Sequence, residues 1–347
     1  MLLQCLVLIL AHGCHASRFL RPLASPKSAR LDQQKSDQRV NKNILSVATF
    51  NTYWLVDPVL QRLQKASKFS PWTTPEQARD HIRDVALVLG EVAADVVVLT
   101  EIQCQHALDL LTDDLNEQMR QREGVEYKAF MLPDANEETG MNVALLSTVD
   151  PVGPLRRVNG CILASSTCLA KGHLNTNIVT KQPLQTDSGR DFCCDFELYD
   201  GNGRLHEFTL FGVHFKLLRT NAQRGILLRA ARSLILSSAI NDCHSRGREA
   251  IVAGDFNDVD ARLSAPPRNT HSKSVEIVCQ GADGMWNPAS LVPTEKRYSC
   301  KSGLLIDHVL VAKRRPVGTV QIYHKTQDGP SDHYAVKAEL DLTRDRS

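Results

Sequence analysis

The chain of 347 residues is 42% hydrophobic, which excludes a disordered protein and is enough to bury a large core in one domain or two small ones. Lys and Arg number 41 against 39 Asp and Glu, so the formal net charge is only +2 and no polyanion-binding tail dominates the composition. The charge is uneven: Ser17 to Asn43 holds seven basic residues and two acids, a net of +5, which leaves −3 for the rest and makes any nucleic-acid groove a local feature.

At the N-terminus, Leu2, Leu3 and the run Leu6–Leu10 with Ala11 form an apolar stretch of signal-peptide length. Cys14-His15-Ala16 then sets small residues where a signal peptidase reads, so cleavage is expected after Ala16 and the mature protein is expected to be secreted. The run is shorter than the roughly 20 residues that span a bilayer, and no later stretch is apolar enough, so no transmembrane segment is expected. Loss of residues 1–16 leaves eight cysteines, Cys104, Cys161, Cys168, Cys193, Cys194, Cys243, Cys279 and Cys300. An even count in an exported chain favours disulfides of open pairing; zinc is the competing reading, although no paired C-x-x-C knuckles occur. Residues 17–43, rich in Ser, Gln, Lys and Arg, read as a flexible basic leader: a propeptide, a tether to an acidic surface, or filler.

From Ile44 short apolar strands alternate with amphipathic helices. Ile44 to Asn51 reads as a strand. Thr74-Pro75-Glu76-Gln77 is a capping box with proline at the first helical position, and Ala78, Ile82, Val85, Ala86 and Leu89 follow at helical spacing. Asp95 to Thr100 is an apolar run of strand length, and His106 to Met119 is helical. Further strands are expected at Asn142–Ser147, Phe192–Tyr199, Glu207–His214, Ala250–Gly254, Leu304–Ala312 and Tyr334–Leu340, with a helix from Arg224 to Asn241. Long loops are expected at Val56–Pro75, Pro151–Lys181 and Ala261–Ser302; Cys279 and Cys300 could stiffen the last with a disulfide. Many short strands, few helices and no repeat point to packed sheets with helices outside, one domain over residues 44–342 followed by a tail at 343–347.

The polar residues fall at the ends of these strands. Asn51 ends the first, Glu101 the run DVVVLT, His214 the run FTLFGVH, and Asp255 with Asn257 the run IVAGDFN; Asp307 lies inside LLIDHVLV, and Ser331-Asp332-His333 opens the final strand. Taken singly each has an ordinary use. Asn and Asp past a strand form turns, Glu101 suits a helix N-terminus, and His214 could be a satisfied core histidine. A carboxylate within an apolar strand, as at Asp307, needs a partner. Leaving one sheet edge together, these groups would make an oxygen-rich pocket for a hard cation such as Mg²⁺.

The set VATFNTYW, VVVLTEIQ, MNVALLS, FGVHFK, VAGDFNDVD, LIDHVLV and SDHYAV resembles, in order and rough spacing, the signatures of the endonuclease/exonuclease/phosphatase superfamily, the deoxyribonuclease-I-like fold, over Ile44 to Leu340. The resemblance implies a four-layered α/β sandwich of two packed, mostly antiparallel sheets flanked by helices, and a metal-dependent phosphoester hydrolase. It implies Glu101 as the main Mg²⁺ ligand, with Mn²⁺ or Ca²⁺ as substitutes, Asn51 beside it and Asp332 as a further metal or phosphate-side acid. Asp255 would orient or deprotonate the attacking water, and Asn257 and His214 would hold phosphate oxygens. His333 would act as general acid/base, oriented by Asp307. Independently of the resemblance, attack of a water-derived anion on an anionic phosphorus needs a cation and several hydrogen-bond donors.

Lys181-Gln182-Pro183 resembles the Arg-Glu-Pro of secretory deoxyribonucleases, where the basic residue touches a phosphate; a solvated loop lysine is the other reading. One departure stands out. Those enzymes carry a glutamate on the strand matching MNVALLS, where it partners the histidine corresponding to His214; here Met141 and Asn142 stand there, so Asn142 takes that place by hydrogen bonding and His214 is read as a phosphate binder. The expected activity is that of a monomeric secreted nuclease. A sphingomyelinase-like enzyme acting on a lipid headgroup is the alternative, disfavoured because no aromatic cluster is present to enter a membrane. A non-catalytic binding protein is disfavoured because the acids Glu101, Asp255, Asp307 and Asp332 and both histidines are present.

Overall fold

A computed structural model describes residues 37–62, 70–132, 142–158, 190–215, 222–265, 272–281, 284–324 and 329–344. In the first half of the chain these form β1 (Ile44–Leu55), α1 (Pro58–Arg62), α2 (Pro75–Val92), β2 (Val96–Ile102), α3 (Gln105–Gln121), β3 (Lys128–Met131), β4 (Asn142–Ser147) and β5 (Arg156–Arg157). The second half forms β6 (Phe192–Tyr199), β7 (Leu205–His214), α4 (Ala222–Ser245), β8 (Glu249–Asp255), α5 (Ser274–Gly281), β9 (Met285–Trp286), β10 (Asp307–Ala312), β11 (Val317–Ile322) and β12 (Val336–Asp341).

Two six-stranded sheets result, in the orders β11-β12-β1-β2-β4-β3 and β5-β6-β7-β8-β10-β9. Each is built round one parallel pair, β1 with β2 and β7 with β8, because a helical crossover separates those strands; every other pairing is antiparallel. α2 begins as its sequence dictates: Thr74 accepts from the Gln77 amide, Gln77 returns the bond to the Thr74 amide, and Pro75 occupies the first turn.

Three apolar clusters define four layers. Leu45, Val47, Val96, Val98, Phe208, Leu210, Ile251, Ala253, Val309 and Val311 pack between the sheets. Ala48, Phe50, Val97 and Leu99 face Ile82, Leu89, Leu108 and Leu111 of α2 and α3. Phe211, Val213, Val252 and Leu310 face Ile235, Ile240, Val275 and Val278 of α4 and α5. The period of two along each strand thus serves two cores at once, which is why the central strands read as continuous apolar runs.

Several expectations are revised. The last seven residues of the expected leader are docked: Arg39 is buried, paired with Asp37 and donating to the carbonyls of Lys42, Ile44 and Tyr199, and Asp37 bridges to Val149. Cys279 and Cys300 are both free thiols, as are Cys193, Cys194 and Cys243, so the expected stiffening disulfide is not formed. The loop Ala261–Ser302 contains α5, β9 and two turns of 3₁₀ helix. The peripheral strands β3, β5, β9 and β11 had no periodic signal, being short or largely exposed. The expected signal peptide, the rest of the leader, Lys181, Cys161 and Cys168 lie outside the described residues. Among the described residues no helix is long and apolar enough to cross a membrane.

Candidate active site

The inward-facing rows of the two sheets end in polar residues. Continuing the alternation past Val47 reaches Asn51, past Leu210 reaches His214, and past Ala253 reaches Asp255; one step back from Val309 is Asp307. Register then aligns them, since His214 pairs with Asp255 on the parallel side and Asp307 with Asp255 on the antiparallel side. Three side chains therefore stand in a row across β7, β8 and β10, facing the end of β1.

Glu101 breaks the rule. Val97 and Leu99 face the helices, so simple alternation would send Glu101 the same way. A left-handed backbone at Glu101 (φ 65°) and a bulge between Thr100 and Ile102 turn its carboxylate inward. There Oε1 accepts from Asn51 Nδ2 at 3.2 Å and Oε2 from the Trp54 amide at 3.2 Å. That amide is available because β1 bulges between Asn51 and Leu55, with Tyr53 (φ 54°) and Trp54 (φ 62°) also left-handed. Asn257 (φ 48°) is a fourth such residue at the site. Each costs on the order of 1–2 kcal/mol, and strain clustered like this is kept where function over-determines geometry.

Asn51 is the bridge between the sheets. Its Nδ2 also donates to Asp255 Oδ2 at 3.1 Å, so one carboxamide holds a carboxylate from each sheet. His214 Nε2 lies 3.7 Å from Asp255 Oδ2 and 4.0 Å from Glu101 Oε1. Its backbone amide donates to Asp191, whose other oxygen is paired with Arg232. The Asn257 amide and Nδ2 donate to Asp255 at 2.7 and 3.1 Å, and Nδ2 also reaches the Phe215 carbonyl at 2.9 Å. Both protons of that carboxamide are thus engaged inside the protein, and Asn257 braces Asp255 where the sequence suggested a phosphate donor. Buried Arg229 in turn donates to the Asn257 carbonyl.

On the other side His333 Nδ1 bonds Asp307 Oδ2 at 2.7 Å, which fixes the tautomer and points Nε2 at the pocket. Ser331 ties this histidine to β1, accepting from the His333 amide and donating to the Asn51 carbonyl. Asp332 is half exposed, its Oδ1 3.9 Å from His333 Nε2. Asn142 is buried and donates to the Gln103 carbonyl, two residues beyond Glu101. Of the residues singled out in the sequence, Asn51, Glu101, His214, Asp255, Asn257, Asp307, Asp332 and His333 converge on one edge. Asp191, Arg229 and Arg232 were missed, because each acts through a backbone group or through another side chain and carries no periodic mark; Ser331 was named at the start of the final strand but given no role.

The electrostatics follow from burial. Burial, then the Asp307 charge, pushes the Asp255 carboxyl up to about 8, and burial raises Glu101. For His333 burial works downward, but the Asp307 charge and hydrogen bond, with Asp255 and Asp332, hold the imidazole well above its ordinary range. The pocket thus sets an imidazole that favours its protonated form beside buried carboxylates whose charge desolvation disfavours. Asp255, Asp307 and His333 each bring one ligand atom within 4.8 Å of the others, and the buried Asp307 Oδ1 has no hydrogen-bond partner. With His333 Nδ1 committed to Asp307, the oxygens that fit a hard divalent cation are the buried Glu101 carboxylate and the Asn51 carboxamide beside it.

His81 of α2 supports the β1 bulge from behind: its ring lies against Trp72, its Nε2 donates to the Thr52 carbonyl at 2.8 Å, and its buried Nδ1 has no partner. Burial lowers it to about 4. With the folded value below the unfolded one, the unfolded chain binds the extra proton, so this contribution is present above pH 6.5 and lost as pH falls towards 4. Between pH 7 and 4.5 the loss should be on the order of 2–3 kcal/mol, and His81→Gln should flatten the pH dependence by a similar amount in urea titrations. An unchanged slope would refute the assignment.

Comparison with known proteins agrees with this geometry. No curated protein matches the chain in sequence. Its fold is similar to an endonuclease/exonuclease/phosphatase from Beutenbergia cavernae (TM-score 0.50, 16% identity, 86% of this chain and 72% of that one). It is also similar to the human Nocturnin catalytic domain, solved with a bound sulfate anion (0.50, 16%, 87% and 95%). A functionally unknown conserved protein from Enterococcus faecalis has the same fold (0.51, 12%, 85% and 99%). The model of the Endonuclease/Exonuclease/phosphatase family matches residues 48–333, from the strand that carries Asn51 to His333 itself. The chain belongs to the endonuclease/exonuclease/phosphatase family, and is a phosphoester hydrolase.

Proposed function

We propose that this protein is a secreted nuclease that hydrolyses the phosphodiesters of DNA or RNA by Mg²⁺-assisted attack of water. The observation that carries the reading is Asn51 joining Glu101 to Asp255 across the two sheets, opposite the His333–Asp307 pair. Glu101, Asn51 and Asp332 would hold the cation, which when bound supplies charge neutralisation and polarisation of a phosphate oxygen. Asp255, braced by Asn257, accepts the proton of the attacking water. His214 donates to a phosphate oxygen from the β7 side. His333, held protonated, gives its Nε2 proton to the leaving oxygen, and Asp307 keeps it aimed.

A polymeric nucleic acid is favoured over a lipid headgroup. Trp54 is buried, Trp72 is half-buried with its indole N–H on the Trp54 carbonyl, and the exposed large apolar residues, Val40, Val59, Leu87, Val152, Leu205, Leu234 and Leu291, include no aromatic among those described. No described hairpin therefore offers an aromatic side chain to a membrane.

The test incubates the chain from Ser17 onward with supercoiled plasmid, single-stranded RNA and sphingomyelin vesicles, with Mg²⁺ and with EDTA. Nicking or RNA cleavage that EDTA abolishes is expected. Turnover of sphingomyelin alone would replace the nuclease reading by the lipid one. The N-terminal residue of protein recovered from the medium of expressing cells should be Ser17, and retention of the full chain inside them would overturn export.

A further inference from the structure

We propose that Ser299 is a positioning residue of the hydrolytic centre, holding the Asp307 carboxylate in the orientation that aims His333 at the reacting phosphate. The proposal rests on the phosphoester-hydrolase reading above. Ser299 is fully buried, and its Oγ donates to Asp307 Oδ2 at 2.7 Å, the same oxygen that takes the His333 Nδ1 proton at 2.7 Å. The two donors seize one carboxylate oxygen, while Oδ1 has no hydrogen-bond partner. The carboxylate therefore cannot turn about its own axis without giving up both bonds. The hydroxyl is itself pinned: it accepts from the Ile306 and Asp307 amides at 3.0 and 2.9 Å, which leaves its single proton only one direction, towards Asp307. The backbone then locks Ser299 to the histidine it serves, since the Tyr334 amide donates to the Ser299 carbonyl at 2.7 Å and Cys300 bridges to His333. A serine that merely closed the turn into β10 would need only its lone pairs. The proton delivered to Asp307 is the excess over that role.

The test compares Ser299→Ala, Ser299→Thr, Asp307→Asn and the Ser299→Ala/Asp307→Asn double variant in the whole chain. Ser299→Ala is expected to lower kcat by about 10- to 100-fold with KM changed by no more than about 2-fold, as removal of an outer partner of a site residue does. Ser299→Thr, which keeps the hydroxyl, restores most of it. In the Asp307→Asn background the same serine deletion costs little, because the interaction it removes is already broken. Equal costs in both backgrounds, or a loss that only follows thermal stability, would overturn the proposal. Should Ser299→Ala fail to fold, Ser299→Cys, of similar size and a weak donor, takes its place with the same expected pattern. The His333 Nδ1 proton, resolved downfield by NMR, is expected to move upfield in the alanine variant and stay in the threonine one. This readout needs no turnover, so a wild-type chain inactive on every phosphoester would refute the functional reading alone, whereas an unmoved resonance would refute the role of Ser299.

Discussion

Glu101→Gln and His333→Ala should each give a folded protein whose phosphodiester hydrolysis has fallen by on the order of 10³-fold or more. Gln keeps the size of Glu101 and can still accept from Asn51 or the Trp54 amide, but it removes the charge that burial makes costly to keep. Stability should therefore be unchanged or slightly improved, while Mg²⁺ affinity drops. His333→Ala acts differently. It removes the proton donor and leaves Asp307 and Asp255 as neighbouring buried carboxylates without a cation between them. Asp255, already raised by burial, should then hold its proton more firmly, and because the proposed cation ligands Glu101, Asn51 and Asp332 are untouched, Mg²⁺ binding survives while kcat is lost. The two variants separate in a calorimetric Mg²⁺ titration run beside the plasmid assay. Wild-type turnover in either would remove that residue from the mechanism.

Gly254→Ala should destabilise the chain by at least about 4 kcal/mol, enough to prevent accumulation of folded protein. Gly254 sits one residue before Asp255 with φ 151°, and a Cβ there would lie 1.9 Å from the Val213 carbonyl oxygen. Both atoms belong to the central parallel pair, where β7 and β8 are held in register from Phe208 to His214 and packed on each face. Neither strand can retreat without opening a core. Gly153, whose Cβ would meet nothing within 4 Å, is the control: Gly153→Ala should stay within about 0.5 kcal/mol of wild type. Urea denaturation of the two alanine variants decides the matter, and a Gly254→Ala protein within about 1 kcal/mol of wild type would show that the parallel pair yields more than its packing implies.

The sequence by itself determined whatever rests on short-range repetition. The period of two along β1, β7, β8 and β10 already places Asn51, His214, Asp255 and Asp307 on the rows that line the inter-sheet core, and the Thr74–Gln77 box starts α2 where the spacing says it does. Such patterns are legible because each residue's facing follows from its neighbours. Only the tertiary structure decided the rest. Glu101 reaches the site against its own alternation, through a left-handed turn that pays in backbone strain and is sustained by Asn51 and Trp54, some fifty residues earlier. Asn257 spends its carboxamide on Asp255 and Phe215, and Ser299 reads as an ordinary loop serine until Asp307 and His333 close on it. Bonds between residues far apart in the chain form where two packed sheets bring their edges together, and no local pattern records them.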